Sequence, residues 1–201
     1  RHAKFKKVVQ TISYLPHFIS WVVLGGIFVQ FLSPSSGPIN VVLKALGRNP
    51  IFFLADPRWF RTVLVVTSIW KGVGWNSIIY LATLSSIDPE QYEAADIDGA
   101  NRLQKMLHIT LPGLSHVVTI MLIFAVGGLI QDNFDQIYNL LLSPTVYSVG
   151  DVLSTYTYRM GLVNMEYSFS TAVGLFTNVV SFVLIVITNA IAKRINEYGI
   201  W

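Results

Sequence analysis

Four stretches of this chain are long and nearly free of formal charge: Thr11 to Leu32, Thr62 to Leu84, Leu114 to Gln131 and Thr171 to Ala192. About twenty apolar residues in a helix suffice to cross the hydrocarbon of a bilayer. No water satisfies the backbone there, so a spanning segment is either a helix or part of a closed barrel. These runs are longer than membrane strands need to be. The predicted fold class is all-α, a polytopic membrane protein with about four transmembrane helices. Composition agrees, with 53% of 201 residues hydrophobic and only 12% charged. The mean hydropathy is +0.54, above the usual range of a soluble domain.

The segments between the runs are read from their turn and interface chemistry. Arg1-His2-Ala3-Lys4-Phe5-Lys6-Lys7 is a basic run directly before an apolar segment, which reads as a cytoplasmic anchor. Pro16 kinks the first run or marks its entry, and His17 is interfacial. Ser33 to Pro38 is a turn-rich exit, and Ile39 to Leu46 is a short surface helix closed by Gly47. Asp56 to Arg61 caps the second run and places aromatic residues at headgroup depth. Ser143 to Ser170 has no long apolar run, and a short helix is predicted around Val152 to Arg159. Asn178 and Asn189 are polar members of the last run, suited to hydrogen bonding a neighbouring helix.

Lys71 stands alone near the middle of the second run, where a charge is costly unless it meets a wet cavity or a partner. It is flanked by Trp70, Gly72, Gly74, Trp75 and Asn76, an unusual set for a lipid-facing surface. Trp75 offers a stacking face and Asn76 hydrogen bonds to a sugar; helix packing within an aromatic belt explains the same residues. Beyond the third run stand Asp132 and Asn133. If that helix continues past Gln131, they lie inside a translocation path. If it stops near Gly127-Gly128, they belong to an external loop and merely cap it.

The most polar stretch is Asp88 to Arg102, between the second and third runs. Asp88 can cap a helix, Pro89 suits its first position, and Glu90 and Glu93 favour the positive end of its dipole. Gly99 allows the backbone to close one short helix and open another. Arg102 and Lys105 come next, and Pro112 breaks the pattern before the third run. The residues predict a helix-turn-helix at the membrane surface, acidic in its first half and basic in its second.

Glu93-Ala94-Ala95, Asp98-Gly99-Ala100 and Ile109-Thr110-Leu111-Pro112, at these spacings, resemble the EAA loop of ABC importer permeases. The Ile97 to Ala100 and Ile109 to Pro112 forms are similar to the carbohydrate-uptake, maltose-type branch. The Gly161-Leu162-Val163-Asn164 region and the Gly199-Ile200-Trp201 end extend the resemblance to its LplB-like members, permeases for oligo- or polysaccharides. The resemblance implies one transmembrane permease domain over 1-201, the C-terminal part of a longer six-span permease, with a cytoplasmic coupling loop at 88-112. Within that loop Glu93, Ala94, Ala95, Asp98, Gly99, Ala100, Arg102 and Pro112 are the implied coupling residues. Glu93 pairs with a base on a cytoplasmic ATPase, the two alanines allow close approach, and Gly99 sets the bend.

The implied partners are a second permease subunit, two cytoplasmic ATPase subunits and an extracellular or periplasmic solute-binding protein. Bacterial cell-membrane residence follows from the same resemblance. The matching sugar positions fall on Ser68, Gly72, Trp75, Ala125, Gly128, Leu129 and Asp132, several of them not polar. The expected substrate path is therefore the local set Lys71, Gly72, Trp75, Asn76, Asp132 and Asn133.

Other functions find little support. No GxxxxGK[ST] phosphate loop is present, so ATP and magnesium are expected on the partner ATPase, with no cofactor on this chain. No nucleophile-base pair stands out, the four histidines are scattered and cysteine is absent, so neither a catalytic nor a metal site is expected. The net charge of +3 is too small to argue for nucleic acid. Two alternatives are an ABC permease for a non-sugar solute and an ion-coupled secondary transporter using Lys71 and Asp132. Four crossings put eight basic residues on the side of the Glu93 loop and five on the other, which orients that loop toward the cytoplasm.

Overall fold

The structure, a computed structural model, describes residues 3–196 and 199–200. Arg1 and His2 of the basic run, and Trp201 of the C-terminal signature, lie outside the described residues. The described chain is helical with no strand, as the uncharged runs require. Its contacts divide it into two units. One comprises residues up to Trp75 with Asp132–Gly174, and the other Asn76–Gln131 with the residues from Leu175 onward.

In the first unit, α1 (Ala3–Phe18) starts within the basic run, and its second half shares one uncharged run with α2 (Trp21–Phe31), yet the two helices meet at 103°. The expected single span over Thr11 to Leu32 is thus a broken one. Pro16 lies in the last turn of α1, where its ring removes a backbone donor. Ser20 then restarts the chain, its side chain accepting from Val23 N at 3.4 Å. The short helix α3 (Pro38–Ala45) forms as predicted and closes at Gly47, whose φ is +72°. Asn40, fully buried, ties the loop together. Its Nδ2 donates to the carbonyls of Leu32, Ser33 and Ile51, and its Oδ1 accepts from Ile51 N at 2.7 Å.

Helix α4 (Pro57–Ser86) is about 45 Å long at 30 residues. Asp56 caps its start by accepting from Arg58 N at 2.9 Å. Phe60, Leu140 and Val146 make the core of this unit, bringing α4 against α8 (Phe134–Leu140). Gln136 secures that packing by donating to Leu64 O at 2.7 Å and Thr67 Oγ1 at 2.8 Å. The stretch after Ser143 carries a turn at α9 (Tyr147–Gly150) and the helix α10 (Leu153–Tyr158), inside the span predicted for it. Gly161 lies against Ser170 at the start of α11 (Tyr167–Asn196), and Ser170 Oγ donates to Thr157 O at 2.8 Å.

In the second unit, α5 (Pro89–Ile97) comes after α4, beyond Ile87 and Asp88. The chain then enters α6 (Arg102–Lys105), widens through a π-turn at Met106–Thr110 and continues as α7 (Leu111–Gly127). Pro112 therefore does not break the helix, contrary to the expectation from sequence. It lacks the donor for its own bond, and Leu111 N reaches back five residues to Met106 O, so the wide turn absorbs the proline. Gly127 packs on Ile185 of α11, leaving no space for a Cβ. In the tail, Ile200 N donates to Asn189 at 2.7 Å, so this asparagine serves the tail rather than the neighbouring helix foreseen for it.

Arg102–Gly127 and Tyr167–Arg194 are each long and apolar enough to cross a membrane, and the bent α1–α2 pair makes a third if taken as one span. Helix α4 has the length but is less apolar, because it carries Arg58, Arg61 and Lys71.

Candidate functional site

The acidic stretch folds as its residues dictate. Asp88 accepts from Glu90 N at 2.9 Å and Pro89 occupies the first turn of α5. Asp98 is the residue after the helix, and Gly99 takes the left-handed conformation with φ +75°. A residue with a Cβ is strained at such a position. Ala100 N then bonds back to Ala95 O at 2.9 Å, closing the turn. Asn101 opens α6 with a reciprocal pair: Asn101 Oδ1 accepts from Gln104 N at 3.0 Å and Gln104 Oε1 accepts from Asn101 N at 2.7 Å.

Two side-chain links that sequence reading missed hold α5 against α6 and the π-turn. Lys105 forms an ion pair with Asp96. Tyr92 and Thr110 share a hydrogen bond of 3.0 Å between their hydroxyls. Opposite charge in the two halves was visible in the sequence, but the pairing depended on the Gly99 turn. The result is a braced elbow with an open concavity of about 300 Å³ bordered by Ala95, Gly99, Ala100 and His108.

What the elbow leaves outward is as informative. Glu93, Ala94, Asp98 and Arg102 are exposed, and Ala95 and Ala100 half-buried. Glu93 makes no hydrogen bond or ion pair among the described residues. Ile97, at the end of α5, is 88% exposed in a segment otherwise polar. An unpaired carboxylate, two small residues and a bare isoleucine on a capped helix are suited to engagement by another protein.

The second set of candidates divides between two places in the chain. On α4, Lys71 Nζ donates to the carbonyls of Pro16 at 3.2 Å, His17 at 3.0 Å and Ile19. Its three donors are thereby used within the chain. Trp75 stacks flat on His17, with ring centroids 4.3 Å apart and planes 1° from parallel. Gly72 and Asn76 stand beside them in sequence, Asn76 exposed.

At the other place, α7 stops at Gly127, so the long continuous helix through Leu142 does not form. Asn133 caps α8, accepting from Gln136 N at 3.2 Å. Asp132 is half-buried and accepts from Ser154 N at 3.2 Å and from Ser154 Oγ. No three metal-ligating side chains converge among the described residues.

The fold and the site define a helical membrane protein with a braced acidic elbow, its polar side chains spent on helix ends and crossings. The chain belongs to the family described as binding-protein-dependent transport system inner membrane component, which matches residues 1–197. It is 42% identical to protein LplB of Bacillus subtilis (strain 168), over all of this chain and 63% of that protein. It is 41% identical to the polygalacturonan/rhamnogalacturonan transport system permease protein YteP of the same organism, covering 62% of its length. Among solved structures, it matches a chain of a bacterial alginate ABC transporter in complex with an alginate pentasaccharide-bound periplasmic protein. That match has a TM-score of 0.93 and 42% identity, and covers all of this chain and 69% of the other. The chain thus spans about 63% of the length of its curated relative LplB.

Proposed function

We propose that this chain is the membrane-spanning part of a permease in an ATP-driven importer for an oligo- or polysaccharide. Family membership and the sugar-transport names of its relatives support the class. The observation that carries the mechanism is the elbow itself: Glu93 stands unpaired on a helix braced from behind by the Asp96–Lys105 pair. A lever transmits a push only if it is stiffer than the contact that pushes it.

In this reading, two ATPase subunits on the cytoplasmic side bind ATP and magnesium, and one of them receives α5. Glu93 meets a basic residue there, and Ala94 and Ala95 let the two surfaces close. This chain pairs with a second, different permease subunit, performs no chemistry of its own and receives sugar from a binding protein outside a bacterial cell membrane. Closure of the ATPase pair moves α5, and with it the helices joined to either end of the loop. Gly72, Trp75 and Asn76 on α4 border the sugar's path, whereas Asp132 and Asn133, beyond the end of α7, serve Ser154 and the cap of α8. Flat indole and amide groups suit a hydroxylated ring with apolar faces. Lys71, expected among them, is already engaged with backbone oxygen.

Glu93→Lys tests the docking role. Inverting the charge at a close contact is expected to lower sugar-stimulated ATPase activity and uptake of the assembled transporter by about thirtyfold or more. Membrane insertion and the amount of chain should stay normal. Uptake at the native rate in this variant would remove Glu93 from the contact.

A further inference from the structure

The break between α1 and α2 leaves an end that a membrane does not tolerate bare. The last carbonyls of α1 have no partner in their own helix, and they carry the negative end of its dipole. In the structure the oxygens of Pro16, His17 and Ile19 converge on one atom, Nζ of Lys71, contributed by α4 more than fifty residues later. The ring of Trp21, the first residue of α2, lies 5.3 Å from the same ammonium. Lys71 therefore touches the helix before the break, the link and the helix after it.

Two further contacts from the same stretch of α4 act on the same end of α1. Gly74 passes the backbone of Ser13 so closely that a Cβ would overlap its carbonyl. Trp75 stacks on His17, and Phe18 meets the indole edge-on at 5.7 Å. The cluster is built: a close backbone crossing, a flat ring stack and a charge with every donor taken.

We propose that Lys71 is a positioning residue, the internal counter-charge that fastens the α1–α2 elbow to α4, so that the elbow travels with this helix during transport instead of sliding along it. The functional half rests on the permease reading above, because α4 is the helix that leads into the coupling loop. The physical ground is the cost of letting go. Withdrawing Lys71 would leave an ammonium and the carbonyls of His17 and Ile19 without these partners in an apolar stretch, where such groups are costly. A path residue meeting a passing sugar must exchange partners in each cycle, whereas this one holds backbone and has no donor to spare.

The test uses the complete transporter with spin labels at Val22→Cys on α2 and Ile69→Cys on α4, both exposed, in a chain with no cysteine of its own. With Lys71 present, one narrow distance is expected, unchanged within about 2 Å between nucleotide-free and ATP-trapped states. Lys71→Met should broaden it and lower the ratio of stimulated to unstimulated ATPase activity about tenfold, while Lys71→Arg, which keeps donors and charge, should restore both. A native distance that jumps by about 5 Å, a full helical turn, between states overturns the proposal. So does a Lys71→Met protein with the native distance or the native ratio. The permease reading fails differently: the native complex would show no stimulation at all, with the narrow distance intact.

Discussion

Asp151 shows how one residue outside the apolar helices organises its surroundings. Its carboxylate accepts from Arg159 Nη1 at 2.9 Å, from Arg159 Nη2 and from Thr155 Oγ1 at 2.6 Å. The guanidinium beside it holds the carboxyl below its ordinary range, and the pairing holds Arg159 in its charged form in return. The rings of Tyr147 and Tyr156 lie 5.4 and 5.8 Å from that guanidinium. Because the folded carboxyl has the lower pKa, its contribution is complete above the unfolded value of about 4 and disappears as pH falls through the folded value. Asp151→Asn is expected to lower the Tm by about 2–4 °C at neutral pH, with the two proteins converging near pH 3. Thermal scans of both in detergent across that range check this; a gap that persists in acid would assign the loss to something other than ionisation. None of this pairing was singled out from sequence, because an Asp and an Arg eight residues apart meet only if the chain between them turns into α10. Lys71 is a similar case. Its isolation in an apolar run was plain, but its partners are main-chain oxygens, and every residue has those.

At the scale of elements, the turn chemistry of the acidic elbow was legible and the first membrane segment was not. Asp88, Pro89 and Gly99 act on neighbours within a few positions, so their chemistry can be read locally. The right angle between α1 and α2 has no comparable local mark. Pro16 and Ser20 permit it, but a straight kinked span would satisfy the same residues, and the contacts from Lys71, Gly74 and Trp75 select the bent form. The glycines of this region differ accordingly. Gly74→Ala places a methyl on the Ser13 carbonyl and is expected to cost about 1–3 kcal/mol. Gly26→Ala, where no atom lies within 4 Å, should be neutral or stabilising by up to about 1 kcal/mol. Denaturation of the two variants side by side checks the contrast. Equal stabilities would mean that the α1–α4 crossing is looser than described.

Across the whole molecule, the apolar surface is the dominant fact. Of the two helices that qualify as spans alone, only 11% and 6% of the most apolar windows are buried within the chain. An apolar environment is what such faces require, since water would leave them bare. The orientation inferred from basic residues can be read directly in a cysteine-free chain. Ser148→Cys should react with a membrane-impermeant maleimide in intact cells, and Gln91→Cys only after permeabilisation. The reverse pattern would place the elbow outside and end the coupling argument.

By itself the sequence determined that the chain is helical and membrane-embedded, and it located the capped acidic elbow, because hydropathy and capping act over one helix or one turn. Tertiary structure alone decided that the first span is broken, that α7 ends before Asp132, and that Lys71 faces backbone. Those outcomes depend on which distant segment fills a bare helix end, and unpaired carbonyls in a low-dielectric setting accept whichever donor the fold brings to them.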